Sequence, residues 1–461
     1  YLGVASTGHQ EGAGLLIEGP ETRDIRIGNS TWGQPPALSP IYIFGGPFSN
    51  KYGVHIRGGA RNITIGTRGG LPAEFEPRYR PFENTNDPFF PDHMVLFETS
   101  VKGNLGAGIF IDDTGGEIPD VGTRERGAPP VTPVNGIVIQ NVGVGRSHSY
   151  DDFTDEIREE PQGNAVGILI QGDDAIGNRI GGSESDEGNQ IVYSYEAGIR
   201  IENSAVDPAH ANRIIGNRIE NGFVASAEFE SPLGDEPGGI GVHILNSSGH
   251  ALGGEGAGEG NRITGNLTGV LVQDATGIAI VNNLIGSEDL GATKQDRAGE
   301  VAGVVLRDTT ETVVGPKNRI VQNGFPGDFT AAAPLGGVYI QGGSKNTIAG
   351  NWIGTDSAEM ALLGNVPMGV TIDNSSENLI GGAGFSNRNV IADSGEHGVL
   401  ITGTLSMGNQ LAENFIGVPS FAIGVPMPNS GDGVRIDSGA SNNTIGGDLQ
   451  RIAKGGDVGD M

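Results

Sequence analysis

Apolar residues in this chain recur in short alternating runs bounded by glycine and asparagine. The unit is clearest from Lys345 to Gly382, where N-x-I-x-G-N-x-I-G is followed by a variable loop, then G-V-x-I, then N-x-I-G-G. Alternation over four or five positions predicts strands, and the runs are too short and glycine-rich for helices. The G-[VI]-x-[VIL] anchor returns at Gly167, Gly198, Gly241, Gly269, Gly303, Gly337, Gly369, Gly398 and Gly433, at steps of 28 to 43 residues. The I-G-G phrase or its variants (L-G-G at Gly253, V-G-P at Gly315) falls at Gly181, Gly253, Gly315, Gly381 and Gly446, at about twice that step. One anchor therefore marks one coil, and two slightly different coils make one repeat. A single copy cannot bury its own few isoleucines, so the unit is built to be stacked.

Within G-V-x-I the Val and Ile are two apart and share one face of a strand. Ile348 and Ile353, like Ile214 and Ile219, are five apart, so the chain must bend between them. Gly350 with Asn351, and Gly216 with Asn217, supply that bend, because both residue types tolerate positive φ. Asn recurring at one corner also predicts a ladder of side-chain amides between coils. Parallel crossovers are nearly always right-handed. The expected fold is all-β: a right-handed parallel β-helix, a single domain over residues 1–461, with regular two-coil repeats over 163–447. Earlier anchors at Gly14, Gly53, Gly108 and Gly136 bring the total to thirteen, a rod of roughly 60 Å at about 4.8 Å per coil.

The N-terminal third interrupts this rhythm with long loops. Residues 67–104 are proline-rich and hold Phe75, Tyr79, Phe82, Phe89, Phe90 and Phe97, the densest aromatic cluster in the chain. Three readings are open: a sugar-stacking platform, a subunit interface, or a loop packing its own small core. Phenylalanine favours the last two, since sugar platforms more often use Trp and Tyr. Further insertions span 112–134 and 146–163.

Composition narrows the function classes. There are 80 glycines among 461 residues without a G-x-y period, which excludes collagen. The formal net charge is −28, from 56 acidic and 28 basic residues. Such a chain repels nucleic acid and anionic membranes. There is no cysteine, hence no disulfide and no thiolate metal site, and no apolar run long enough to span a bilayer. The chain begins at Tyr1, as expected of a mature exported protein or a piece of a longer one.

The phrases N-x-I-G-G, N-x-I-x-G-N-x-I-G-T and G-V-x-I resemble those of large bacterial and archaeal secreted or surface β-helix repeat proteins. The resemblance implies the fold and an extracellular setting. It implies no single activity, because such folds serve lyases, hydrolases, epimerases, adhesins, tailspikes and passive shafts.

Candidate chemistry is sparse. Asp173 and Asp174, in Gln171-Gly172-Asp173-Asp174, resemble the G-D-D phrase of polygalacturonases, whose other phrases are not found; a glycosidase needs two such carboxylates. Asp207-Pro208-Ala209-His210 resembles the D-P-H phrase of alginate epimerases, interrupted by an alanine. A lyase for acidic polysaccharide uses Lys, Arg or Ca²⁺ against the substrate carboxylate, and a lysine-poor, anionic chain argues against polyuronates. Asp112, Asp113 and Glu117 are candidates for a structural Ca²⁺, which takes carboxylate-rich loops; no other cofactor is implied. Neither end carries an evident cap, so end-to-end self-association is expected. The leading expectation is a non-catalytic subunit of a surface fibre, sheath or adhesive shaft. The alternative is a polysaccharide-binding or polysaccharide-cleaving β-helix protein, so an enzymatic role stays open.

Overall fold

A computed structural model describes residues 4–6, 13–19, 21–27, 41–45, 52–66, 99–102, 107–112, 134–135, 137–139, 142–144, 146–151, 156–161, 164–184, 187–192, 194–220, 239–288, 301–324, 334–421 and 426–446. The chain is a parallel β-helix, built from three long parallel sheets of 12, 14 and 12 strands. The first sheet runs from Val4–Ser6 to Phe415–Ile416, and the third from Ala13–Glu18 to Val434–Ile436. The second carries the short N-x-I strands such as Arg179–Gly181 and Thr347–Ile348.

The G-V-x-I anchor is the third-sheet strand. Its two aliphatics point into the coil, and successive pairs stack in register: Val54 and Ile56, Ile109 and Ile111, Ile168 and Ile170, on to Val399 and Ile401, all fully buried. The five-residue step between isoleucines is also explained. Ile348 belongs to the second sheet and Ile353 to the first, and the corner between them turns at Gly350, whose φ is +71°.

Asn351 does something other than supply positive φ. It and Asn217 lie outside the left-handed region, and both are buried. Each links its neighbours along a column of amides that runs Asn189, Asn217, Asn261, Asn283, Asn318, Asn351, Asn389, Asn414. Each Nδ2 donates to the next Oδ1 at 2.8–3.1 Å. The same Nδ2 groups reach backbone carbonyls of the preceding coil, such as Asn351 to Val314 at 2.8 Å. The corner needs a short side chain with both a donor and an acceptor, which is why asparagine recurs there.

Twelve strands, rather than thirteen, make the third sheet. The Gly136 anchor differs: Val138–Ile139 pairs with Thr64 and Ile65 and with Arg179 and Ile180 in the second sheet. The first insertion closes before residue 104, since Thr99–Lys102 is a first-sheet strand paired with Ile41–Gly45. Within 146–163, Arg146–Asp151 and Glu156–Pro161 form an antiparallel pair off the main sheets. Phe75, Tyr79, Phe82, Phe89, Phe90 and Phe97 lie outside the described residues.

Candidate binding face

Each third-sheet strand also sends residues outward, and the register aligns them into two columns. One runs His55, Phe110, Leu169, Arg200, His243, Leu271, Val305, Tyr339, Thr371, Leu400. The other runs Arg57, Asp112, Gln171, Glu202, Leu245, Gln273, Arg307, Gln341, Asp373. Planar side chains at His55, Phe110, Arg200, His243 and Tyr339 thus alternate with aliphatic stretches, beside a mostly hydrogen-bonding second column.

At the N-terminal end of this face, the His55 ring stacks on Phe110 with centroids 4.6 Å apart and planes 18° apart. Tyr52 closes the cluster, 4.7 Å from Phe110. His55 Nε2 lies 3.2 Å from Asp112 Oδ2, and both residues are buried although they point away from the core. Asp112 is therefore engaged with a histidine. Its companions as calcium candidates, Asp113 and Glu117, lie outside the described residues. Among the described residues no group of three or more acidic or histidine side chains could hold a metal.

The middle of the face is charged. Arg200 Nε sits 2.7 Å from Glu202 Oε2, and Gln171 donates to Glu202 Oε1 at 2.8 Å. The next coil places His243 beside Arg200. Burial first, then the positive charges of Arg200 and Arg307, push its pKa down to about 4, so the ring is neutral at neutral pH. Arg307 Nε donates to Gln341 Oε1 at 3.3 Å. Tyr339 donates its hydroxyl to Asp373 Oδ2 at 2.7 Å, and burial together with this carboxylate pushes the phenol well above its ordinary range.

The other two outer faces differ. On the first sheet, arginines are matched with glutamates: Arg218 with Glu220 at 2.6 Å, Arg262 with Glu220 at 3.5 Å, and Arg319 with Glu288 at 3.2 Å. Trp352 is half-buried there and donates to Glu359 at 3.3 Å. On the second sheet the outer column is largely small or aliphatic, through Ala251, Ala279, Val313, Thr347 and Leu379.

The residues singled out by motif sit at corners instead. Asp173 is exposed, and its Oδ1 accepts the Ala205 N–H at 2.8 Å, which ties one coil to the next. Asp174 follows it in the same turn and is half-buried. Asp207 caps its own short 3₁₀ turn, accepting from Ala209 N–H and lying 2.9 Å from His210 Nδ1. The histidine hydrogen bond holds the Asp207 carboxyl below its ordinary value. The structure brings neither aspartate phrase onto the third-sheet face.

No protein family matches this chain, and no curated protein does either. Among solved structures it is similar to the DFA-IIIase from Arthrobacter chlorophenolicus A6, with 12% identity, a TM-score of 0.36 and 87% of each chain covered. It is also similar to a mutant of the periplasmic alginate epimerase AlgG, with 11% identity, a TM-score of 0.34 and coverage of 85% of this chain and 74% of that one. A third similarity is to tailspike protein 2 of an Escherichia coli bacteriophage, CAB120, with 8% identity and a TM-score of 0.35. There the match covers 87% of this chain and 38% of the tailspike. These are likenesses of chain path.

Proposed function

We propose that the chain is an extracellular β-helix whose third-sheet outer face binds a polysaccharide. The observation that carries the reading is the pairing of the two outward columns. The half-buried Tyr339 ring stands beside the guanidinium of Arg307, the amide of Gln341 and the carboxylate of Asp373, whereas His55 and Phe110 are buried against each other. A one-dimensional array of flat and hydrogen-bonding groups suits an extended polymer with a ring and hydroxyls in every unit. The reading is of binding without cleavage, since Asp173 is spent on a backbone N–H and the tyrosine hydroxyl on Asp373. Retention of the purified chain on immobilised polysaccharides tests it. Tyr339→Ala is expected to weaken binding several-fold, about 1 kcal/mol, and Trp352→Ala on the first sheet to leave it unchanged. Equal loss in both variants would remove the reading.

A second reading, end-to-end assembly into a fibre, is favoured by the last described coil. Ile436 and Ile445 continue the core columns of Ile401 and Leu411, yet they are 42% and 48% exposed where the latter are 0% and 2%. Among the described residues no further coil covers this parallel edge; such an edge accepts another, and head-to-tail stacking does not close. Sedimentation of the purified chain against concentration tests it; a single monomeric species throughout would end it.

A further inference from the structure

We propose that Arg307 is the centre of a subsite for an anionic group on the glycan, a uronate carboxylate or a sulfate ester; this rests on the glycan-binding reading above. Four arginines lie on the outer face of the third sheet. Arg57, Arg200 and Arg435 each have a carboxylate oxygen within 3.1 Å, from Glu18, Glu202 and Asp437. Arg307 has none within ion-pair distance among the described residues. Its register neighbours are Gln273 on one side and Gln341 on the other, both neutral. A glutamate at either position could pair with it, as Glu18 does with its register neighbour Arg57. In a chain with 56 acidic and 28 basic residues, a guanidinium between two neutral amides goes against the prevailing chemistry.

Among the described residues its terminal amino groups also have no partner. The bond to Gln341 uses Nε, which leaves both terminal amino groups of a planar fork suited to bidentate capture of an oxyanion. Within its column Glu202 is engaged by Arg200 and Gln171 and Asp373 by Tyr339, while Asp308, the next residue in the chain, is exposed.

A second observation points the same way. His243 is 9% exposed, and its Nε2 is shut from solvent without a hydrogen-bond partner. Buried polar atoms are rarely left so, and each costs about 1–3 kcal/mol. The ring is close enough to both Arg200 and Arg307 to feel their charge. By register His243 lies two coils from Arg307 in the other outward column, so its unpaired nitrogen marks this stretch of the face as polar and incompletely satisfied without itself touching Arg307. The whole-chain charge argues against acidic polysaccharides, and the Arg307 guanidinium is the local exception on which the proposal stands.

The test is a panel of neutral, uronate-bearing and sulfated polysaccharides at about 0.15 M ionic strength, where charges on distant surfaces are screened. The intact chain is compared with Arg307→Gln and Arg307→Lys, each checked for an unchanged melting temperature. The expected result is preferential retention of anionic glycans. Arg307→Gln should lose about tenfold in affinity for these and keep its affinity for neutral ones, with Arg307→Lys between. Loss confined to the uronate arm or to the sulfate arm identifies the group. Binding of anionic glycans by Arg307→Gln within about twofold of the parent overturns the subsite, as does retention of neutral glycans only; in either case polysaccharide binding itself stands. Retention of no glycan overturns both.

Discussion

Asn318 donates its side-chain amide to Oδ1 of Asn351 in the next coil at 2.9 Å, inside a corner from which both residues are shut off from solvent. Asn351 in turn donates to Asn389 at 3.0 Å and to the Val314 carbonyl at 2.8 Å. Each residue of the column is thus donor and acceptor at once. Replacing Asn351 with alanine removes its bonds to Asn318, Asn389 and the Val314 carbonyl at once, although Asn318 keeps its bond to the Ile280 carbonyl and Val314 its bond from the Ala349 N–H. We expect a loss of about 2–4 kcal/mol, read as a lower denaturant midpoint. Trp352→Ala, one residue on and facing outward, should cost about 1 kcal/mol or less.

Two glycines separate backbone strain from simple crowding. Gly286 has φ +100°, and a Cβ there would sit 1.7 Å from the Val321 carbonyl oxygen of the next coil. Gly277 has φ +65° and open space around it. Gly277→Ala should cost about 1–2 kcal/mol, from left-handed strain alone. Gly286→Ala should push adjacent coils apart and cost more than that, in the same denaturation assay.

His250 gives the fold a pH dependence of known sign. It stands in a second buried column, accepting the Asn212 N–H at Nδ1 (3.3 Å) and lying at Nε2 3.0 Å from the Ser204 carbonyl. Burial pushes its pKa from the ordinary 6.5 down to about 4, partly offset by the Ser204 bond. Between pH 6.5 and 4 the unfolded chain therefore binds more protons than the folded one, so stability falls as pH drops through that window. It levels off for this group below about 4. His250→Asn, which restores the residue used elsewhere in the column, should flatten the slope of stability against pH over that window by up to a few kcal/mol. An unchanged slope would contradict the assignment.

Asp173→Asn should leave polysaccharide binding as it was. The carboxylate serves a corner, receiving the Ala205 N–H at 2.8 Å, and an asparagine oxygen can receive the same bond. The expected stability change is about 1 kcal/mol or less. Activity on a glycan that vanished with this substitution would restore the catalytic reading of Asp173 and Asp174.

These cases also show how far the sequence speaks. The inward columns and the Asn corner were legible because they obey the repeat: every coil needs the same two aliphatics and the same bifunctional amide. Positive φ at Asn351 was the wrong physical reason for the right residue. The outward face was not legible, because His55, Arg200 and Arg307 occupy the variable positions of their phrases. Asp112 could be noticed as an acid, but its partner His55 lies 57 residues earlier. Coil lengths from 28 to 43 residues then decide which outward side chains meet, and only the stacked register reveals them.

The central claim is that polysaccharide lies along the third sheet. Side-chain footprinting by hydroxyl radicals, with and without a retained polysaccharide, tests it most directly. The account predicts protection of third-sheet outer residues, Tyr339 and Leu400 among them, with Trp352 and Phe415 on the first sheet as reactive as before. Protection of Trp352 and Phe415 with Tyr339 unaffected would contradict it.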